Sequence, residues 1–212
     1  MNPVFLHLSK PSRRLTVGSS RFFGYPDLPP DCPYPFHTDD EGTGRPYPFV
    51  CQINLSEMAP YDKDNMLPHV GMLSFFARID PYLGYYAASD CIGGIISSAD
   101  AVRVLYFPSC ENLVETEPGD EDLLVPESLQ VGFGSVQGQY DEHILFAPPV
   151  HRQWENWDPP FEDWLVLLQV DSFDGEDFDL NFMDMGVLDF LISPSALKDH
   201  DFSDVRAIVL SS

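Results

Sequence analysis

A chain of 212 residues, 44% of them apolar and 13% aromatic, can bury roughly 70% of the surface its unfolded form exposes, and it reads as globular. With 34 acidic residues against 11 basic ones, its formal net charge is -23. A field of that sign repels polyanions, which argues against nucleic acid and anionic membranes and points to a basic protein or a cation.

In chain order, residues 3–8 and 13–17 are expected to be short strands broken by Ser9-Lys10-Pro11-Ser12. Ser20-Arg21-Phe22-Phe23-Gly24-Tyr25-Pro26 leads into a loop that runs through Arg45 and carries Pro29, Pro30, Pro33 and Pro35. Proline fixes φ and removes backbone donors, so neither a helix nor a central strand can form there. The aromatics Tyr34, Phe36 and Tyr47 suit that loop to lie across a core. Residues 48–55 are apolar nearly throughout and read as a strand buried on both faces. A polar connection with one helical turn follows, and Gly71 opens the next strand at 72–78. Asp80-Pro81-Tyr82-Leu83-Gly84 turns the chain. Short apolar runs flank Gly93-Gly94 within 90–98, and a third strand is expected at 101–107.

Residues 111–122 carry Glu111, Glu115, Glu117, Asp120, Glu121 and Asp122, the composition of an exposed boundary. Beyond it, Gly134-Ser135-Val136-Gln137-Gly138-Gln139-Tyr140 is the expected counterpart of Phe23-Gly24-Tyr25. Next come an aromatic, acidic loop from Trp154 to Phe161, a strand at 164–171 and a strand opened by Gly186. Ser193 caps a short helix with Pro194 in its first position. A last strand is expected at 204–210.

Two stretches echo one another. Pro48-Phe49-Val50-Cys51-Gln52-Ile53-Asn54-Leu55, then Gly71-Met72-Leu73-Ser74-Phe75-Phe76, then Val102-Arg103-Val104 returns as Trp164-Leu165-Val166-Leu167-Leu168-Gln169-Val170-Asp171, then Gly186-Val187-Leu188-Asp189-Phe190-Leu191, then Val205-Arg206-Ala207. Three matched strands in one order point to internal duplication. The expected fold is mainly β or α+β: internally duplicated antiparallel sheets packed together with a few short helices. It forms one domain over 1–212, with pseudo-repeats at about 18–110 and 130–212 joined by the acidic linker 111–122.

The motifs Gly24-Tyr25-Pro26-Asp27-Leu28-Pro29, Pro48 to Glu57, Leu67 to Phe76, Leu167 to Ser172, Met185 to Phe190 and Asp201-Phe202-Ser203-Asp204-Val205 resemble the YwqG-like family, a mostly bacterial domain of unknown function. The resemblance covers roughly residues 18–212. Gly138-Gln139-Tyr140 replaces the family's second Gly-Tyr-Pro, and Phe182-Met183-Asp184-Met185 replaces a segment that often carries Trp. The resemblance implies a duplicated β-rich fold and supplies no reaction and no catalytic residues.

The candidate binding residues are the pairs Gln52 with Asn54 and Gln169 with Asp171. Positions i and i+2 of a strand share a face, so each copy sets an amide beside an Asn or Asp. Two readings stand: these groups satisfy backbone at strand ends, or both pairs line a cleft between the halves. The matched Arg103 and Arg206 pair with neighbouring acids or clamp a ligand carboxylate. Trp154 and Trp157, with the acidic 111–122 segment, are candidate partner contacts. The six histidines show no close metal-ligand spacing, and no cofactor is implied. Tyr140-Asp141-Glu142-His143 sets carboxylates beside an imidazole. The run Asp171, Asp174, Glu176, Asp177, Asp179 has oxygen ligands that suit calcium, without the EF-hand order. Cys32, Cys51, Cys91 and Cys110 are widely spaced and no signal-peptide pattern precedes them, so reduced thiols in the cytoplasm are expected. The leading functional reading is a non-catalytic binding module whose acidic surface meets a basic protein. The alternative is a small-molecule enzyme with its cleft between the halves.

Overall fold

The computed structural model describes residues 1–39, 41–79, 91–120, 123–136, 143–149, 157–174, 179–180, 182 and 186–210. The protein is mainly β. Ten strands build one large sheet: β1 (Val4–Ser9), β2 (Arg21–Phe22), β3 (Phe49–Asn54), β4 (Met72–Ala77), β5 (Val102–Phe107), β6 (Leu129–Gly134), β7 (His143–Leu145), β8 (Leu165–Asp171), β9 (Val187–Ile192) and β10 (Arg206–Leu210). Across the sheet the order is β10-β9-β8-β7-β1-β6-β2-β3-β4-β5, with every neighbouring pair antiparallel. The helices α1 (Leu55–Met58) and α2 (Pro194–Asp199) are short and capped by Asn54 and Ser193. A side-chain oxygen placed there accepts from an otherwise orphaned first-turn amide.

This sheet cannot be flat. Phe75 of β4 and Phe190 of β9 stand seven places apart in the strand order, roughly 34 Å in a planar sheet. Their ring centroids lie 5.2 Å apart, edge to face. The two flanks therefore curl until their inner faces meet, and Cys51, Ile53, Phe75, Leu168, Val170 and Phe190 share one core. The outer edge of β10 is also covered. Ser97 donates its amide to Ala207 O (2.8 Å), and Val209 donates to Gly93 O (2.9 Å). The chain then passes through the 3-10 turn Ala99–Ala101 into β5, the opposite edge strand, so one segment links the two edges of the sheet.

Each flank's outer face has its own cover. Leu28, Tyr34, Tyr47, Phe49 and Phe76 pack over one flank, and Ile144, Ala147, Trp157, Val166, Leu191 and Ile208 over the other. Of the loop aromatics expected to pack, Tyr34 and Tyr47 are buried and Phe36 is half exposed.

The flanks β2-β3-β4-β5 and β7-β8-β9-β10 run outward from the central β1–β6 pair in the same order. Gln52 faces Ser74 and Gln169 faces Asp189 across equivalent ladders. Bulges fall between Phe49 and Cys51 and between Val166 and Leu168. Phe23 and Phe146 both adopt a left-handed backbone, with φ of 58° and 60°. They donate to Val50 O (3.0 Å) and Leu167 O (3.1 Å). The leading strands are exchanged: β1 lies against β7, and β6 lies against β2.

Several expected elements differ. Residues 13–17 form no strand, because both sides of β1 are already taken by β6 and β7. The runs around Gly93-Gly94 form no strand of their own and hydrogen-bond β10 through Gly93 O and Ser97. The proline-rich segment contains a small hairpin, Phe36–Thr38 with Gly44–Pro46. The position equivalent to Phe23 is Phe146; Gly134 instead closes β6, and residues 137–142 lie outside the described ones. Within the acidic stretch, Val114–Glu115 pairs with Asp27–Leu28, so this part is docked chain.

Gly71 and Gly186 precede β4 and β9 where backbones converge: an added Cβ would lie 2.1 Å from Phe107 O and 2.0 Å from Leu210 O. Gly71 also has φ +90°. Gly71→Ala is expected to lose about 1–2 kcal/mol from its left-handed backbone and roughly 1–3 kcal/mol more from overpacking. Gly42→Ala, at φ +81° with open space around it, should lose only the first part. Urea unfolding of both variants measures the difference, and equal losses would contradict the close approach.

Candidate functional site

Three of the polar side chains buried in the first flank, Arg21, Asp27 and Gln52, form one network. Gln52 sits in β3 between Cys51 and Ile53, whose side chains face the inner core, so it points to the outer face. Arg21 is its partner across the β2–β3 ladder. Asp27 comes from the short strand that begins the cover. Arg21, Asp27 and Gln52 are 2%, 0% and 0% exposed.

One carboxylate oxygen gathers the network. Asp27 Oδ2 accepts from Arg21 Nη2, from Gln52 Nε2 (2.6 Å) and from the Gly18 amide (2.8 Å). The Asp27 amide donates to Gln52 Oε1 (2.8 Å), and Gln52 Nε2 also donates to Ser19 O (2.8 Å). A buried carboxylate is tolerable only with such compensation. Two atoms stay unmatched among the described residues, Arg21 Nε and Asp27 Oδ1. Asn54 serves the same end of the sheet: its Nδ2 donates to Gly18 O (2.8 Å), and its Oδ1 caps α1 through Ser56 N (3.0 Å).

The network extends outward. Arg21 Nη1 lies 3.6 Å from Glu115 Oε2, and Arg14 Nη2 lies 2.5 Å from Glu115 Oε1. These residues, with Lys10, Arg13 and Glu127, line a surface pocket of about 410 Å³. A second pocket of about 410 Å³ lies against the other flank, lined by Pro3, Trp157, Trp164, Leu165, Glu162 and Asp163 among others.

The second flank keeps Gln169, between the inner-core residues Leu168 and Val170. Ile144 replaces Arg21 as its ladder partner, and Asp189 faces it from β9. Gln169, Asp189 and His143 are all buried. His143 Nδ1 accepts from the Asp171 amide (3.1 Å), and Asp171 Oδ1 accepts from Ser172 N (2.8 Å).

The geometry does not gather the two predicted pairs around one cleft. Phe75 and Phe190 fill the space between the inner faces, while Gln52 and Gln169 point away from each other beneath separate covers. Arg103 is exposed, and its guanidinium lies near the Tyr47 hydroxyl. Arg206 binds Asp204 (2.7 Å) and lies 5.9 Å from the Phe161 ring centroid. Trp157 is 3% exposed and donates Nε1–H to Trp164 O (3.0 Å), so it belongs to a core and is not an outward contact. Trp154, Tyr140 to Glu142, Glu176 and Asp177 lie outside the described residues. Among the described residues no three His, Cys, Asp or Glu side chains gather as a metal site, and no helix is long and apolar enough to cross a membrane.

All four cysteines are free thiols. Burial pushes the Cys51 thiol well above its ordinary value. Burial and then Asp31 raise that of Cys32. Neither is poised as a thiolate nucleophile.

Sequence reasoning missed Arg21, Asp27 and the Lys10-Arg13-Arg14 group. A signal was present, since four of the 11 basic residues fall between positions 10 and 21.

A family model described as Domain of unknown function (DUF1963) matches residues 20–144 and 135–209. No curated protein matches the chain.

Replacing Gln52 tests whether its amide is structural. Gln52→Leu strands the Asp27 amide and Ser19 O and removes a donor to the carboxylate. Each buried orphan costs about 1–3 kcal/mol, so a loss of roughly 2–5 kcal/mol is expected in chemical unfolding. A loss below about 1 kcal/mol would contradict the network.

Proposed function

The chain belongs to the family described as Domain of unknown function (DUF1963), and from that premise we propose that it is a non-catalytic interaction module for a basic protein partner. One observation carries the reading. On a chain of formal net charge -23, the pocket lined by Pro3, Trp164 and Leu165 has apolar walls and carries the exposed carboxylates Glu162 and Asp163. Apolar walls supply burial for a docking side chain, and surrounding carboxylates favour one with basic neighbours. The wider field speeds encounter with a positive surface. Gln52 and Asn54 engage backbone and carboxylate groups of their own chain, which favours a structural role for them over substrate recognition.

The same reading takes the protein as YwqG-like and cytoplasmic, with its cysteines reduced. It takes the chain as one domain whose two flanks descend from a duplicated unit. The matched Gln52 and Gln169, Gly71 and Gly186, and Phe23 and Phe146 positions support that descent. The exchange of leading strands supports extending the earlier unit back to β1.

The test is capture of a basic partner from native lysate at low salt, followed by the association rate of the isolated complex. Glu162→Lys with Asp163→Lys is expected to slow association about tenfold or more, whereas Glu111→Lys with Glu117→Lys should act far less. Binding indifferent to salt and to both charge reversals would overturn the reading.

A further inference from the structure

The pocket on the first flank has the opposite character from the rest of the surface. Lys10, Arg13, Arg14 and Arg21 line it with Glu115 and Glu127, and Asp27 pairs with Arg21 from behind. It therefore holds four of the chain's 11 cations, although acids outnumber bases 34 to 11 overall. We propose that this pocket is a binding site for a small molecule bearing an oxyanion, a phosphate or a carboxylate group.

The lining carboxylates are met mainly by Arg14 and Arg21. Glu127 reaches Lys10 only at 3.9 Å, and both side chains are largely exposed, at 72% and 62%. Glu115 is shared by Arg14 at 2.5 Å and Arg21 at 3.6 Å. Arg13 is exposed and makes no hydrogen bond or ion pair among the described residues. Guanidinium groups bind phosphate and carboxylate through paired N–H donors, and the consecutive, exposed Arg13 and Arg14 both line the pocket. Arg21 forms the fixed inner cation. It is 2% exposed, anchored by Asp27, and its Nε has no acceptor among the described residues.

The net charge of -23 does not prevent this. At physiological ionic strength the Debye length is about 8 Å, so distant carboxylates are largely screened while the pocket's own cations are in contact range. A volume of about 410 Å³ falls at the small-molecule end of ligand pockets. The site shares no residue with the acidic groove, so it stands or falls separately from partner docking.

Isothermal titration of the full chain with inorganic phosphate and, separately, with succinate tests the proposal, at ionic strength matched with sodium chloride. A saturable heat with either anion supports it, and which anion binds tells phosphate from carboxylate. Arg13→Ala with Arg14→Ala should weaken binding at least about tenfold. Arg45→Ala, an exposed arginine paired with Asp39 outside the pocket, should leave it unchanged. Glu115→Gln frees the Arg14 fork and should tighten it. Far-UV circular dichroism establishes that each variant is folded. No saturable heat with either anion, or equal affinity in the native chain and the Arg13/Arg14 variant, would overturn the proposal.

Discussion

A carboxylate and a guanidinium buried together govern how the first flank is assembled. Asp27 and Arg21 are almost fully removed from water, and Gln52 bridges the aspartate to the sheet. Breaking such a pair typically costs about 3–5 kcal/mol, because the surviving charge has no solvent. The pair therefore fixes where the cover begins. Once Asp27–Leu28 is set against the sheet, Val114–Glu115 pairs with it. That in turn holds the Glu115 carboxylate between Arg14 and Arg21. The inner wall of the first-flank pocket, Arg21 with Glu115, is thus tied to one internal ion pair.

The second flank shows what the same framework does without that pair. Ile144 occupies the ladder position of Arg21, and the side chain facing Gln169 from the next strand is Asp189, where the first flank has Ser74. Both outer faces carry an apolar cluster, Leu28, Tyr34, Tyr47, Phe49 and Phe76 on the first flank and Trp157, Val166, Leu191 and Ile208 among others on the second, but only the first also buries a guanidinium there. The pocket beside the second flank is apolar, with acids near its entrance. Equivalent backbones thus carry one pocket rich in cations and one apolar pocket flanked by acids.

How much of this was legible in the sequence depends on how local each determinant is. The runs at 48–55, 72–78, 101–107, 164–171 and 204–210 declare themselves by their dense apolar and β-branched residues, and the strands fall there. Strand β6 did not. Its Leu-Gln-Val-Gly-Phe-Gly carries two glycines and little strand propensity, and it is held by its place between β1 and β2. Gln52 and Gln169 were recognisable as a matched pair, but their direction was not, since alternation reveals that faces differ and not which face meets the other flank. Only the curl of the sheet decides that. Arg21 and Asp27 lie six residues apart in a stretch that reads as plain loop entry. Their importance comes from burial, which composition does not report.

A double-mutant cycle on Arg21→Met and Asp27→Leu, read by equilibrium chemical unfolding, tests the governing role of this pair most directly. Each single variant leaves an uncompensated buried charge and should lose about 3–5 kcal/mol, whereas the double variant removes both charges and should lose far less than the sum. Losses that simply add, or single variants within about 1 kcal/mol of the native chain, would contradict the account.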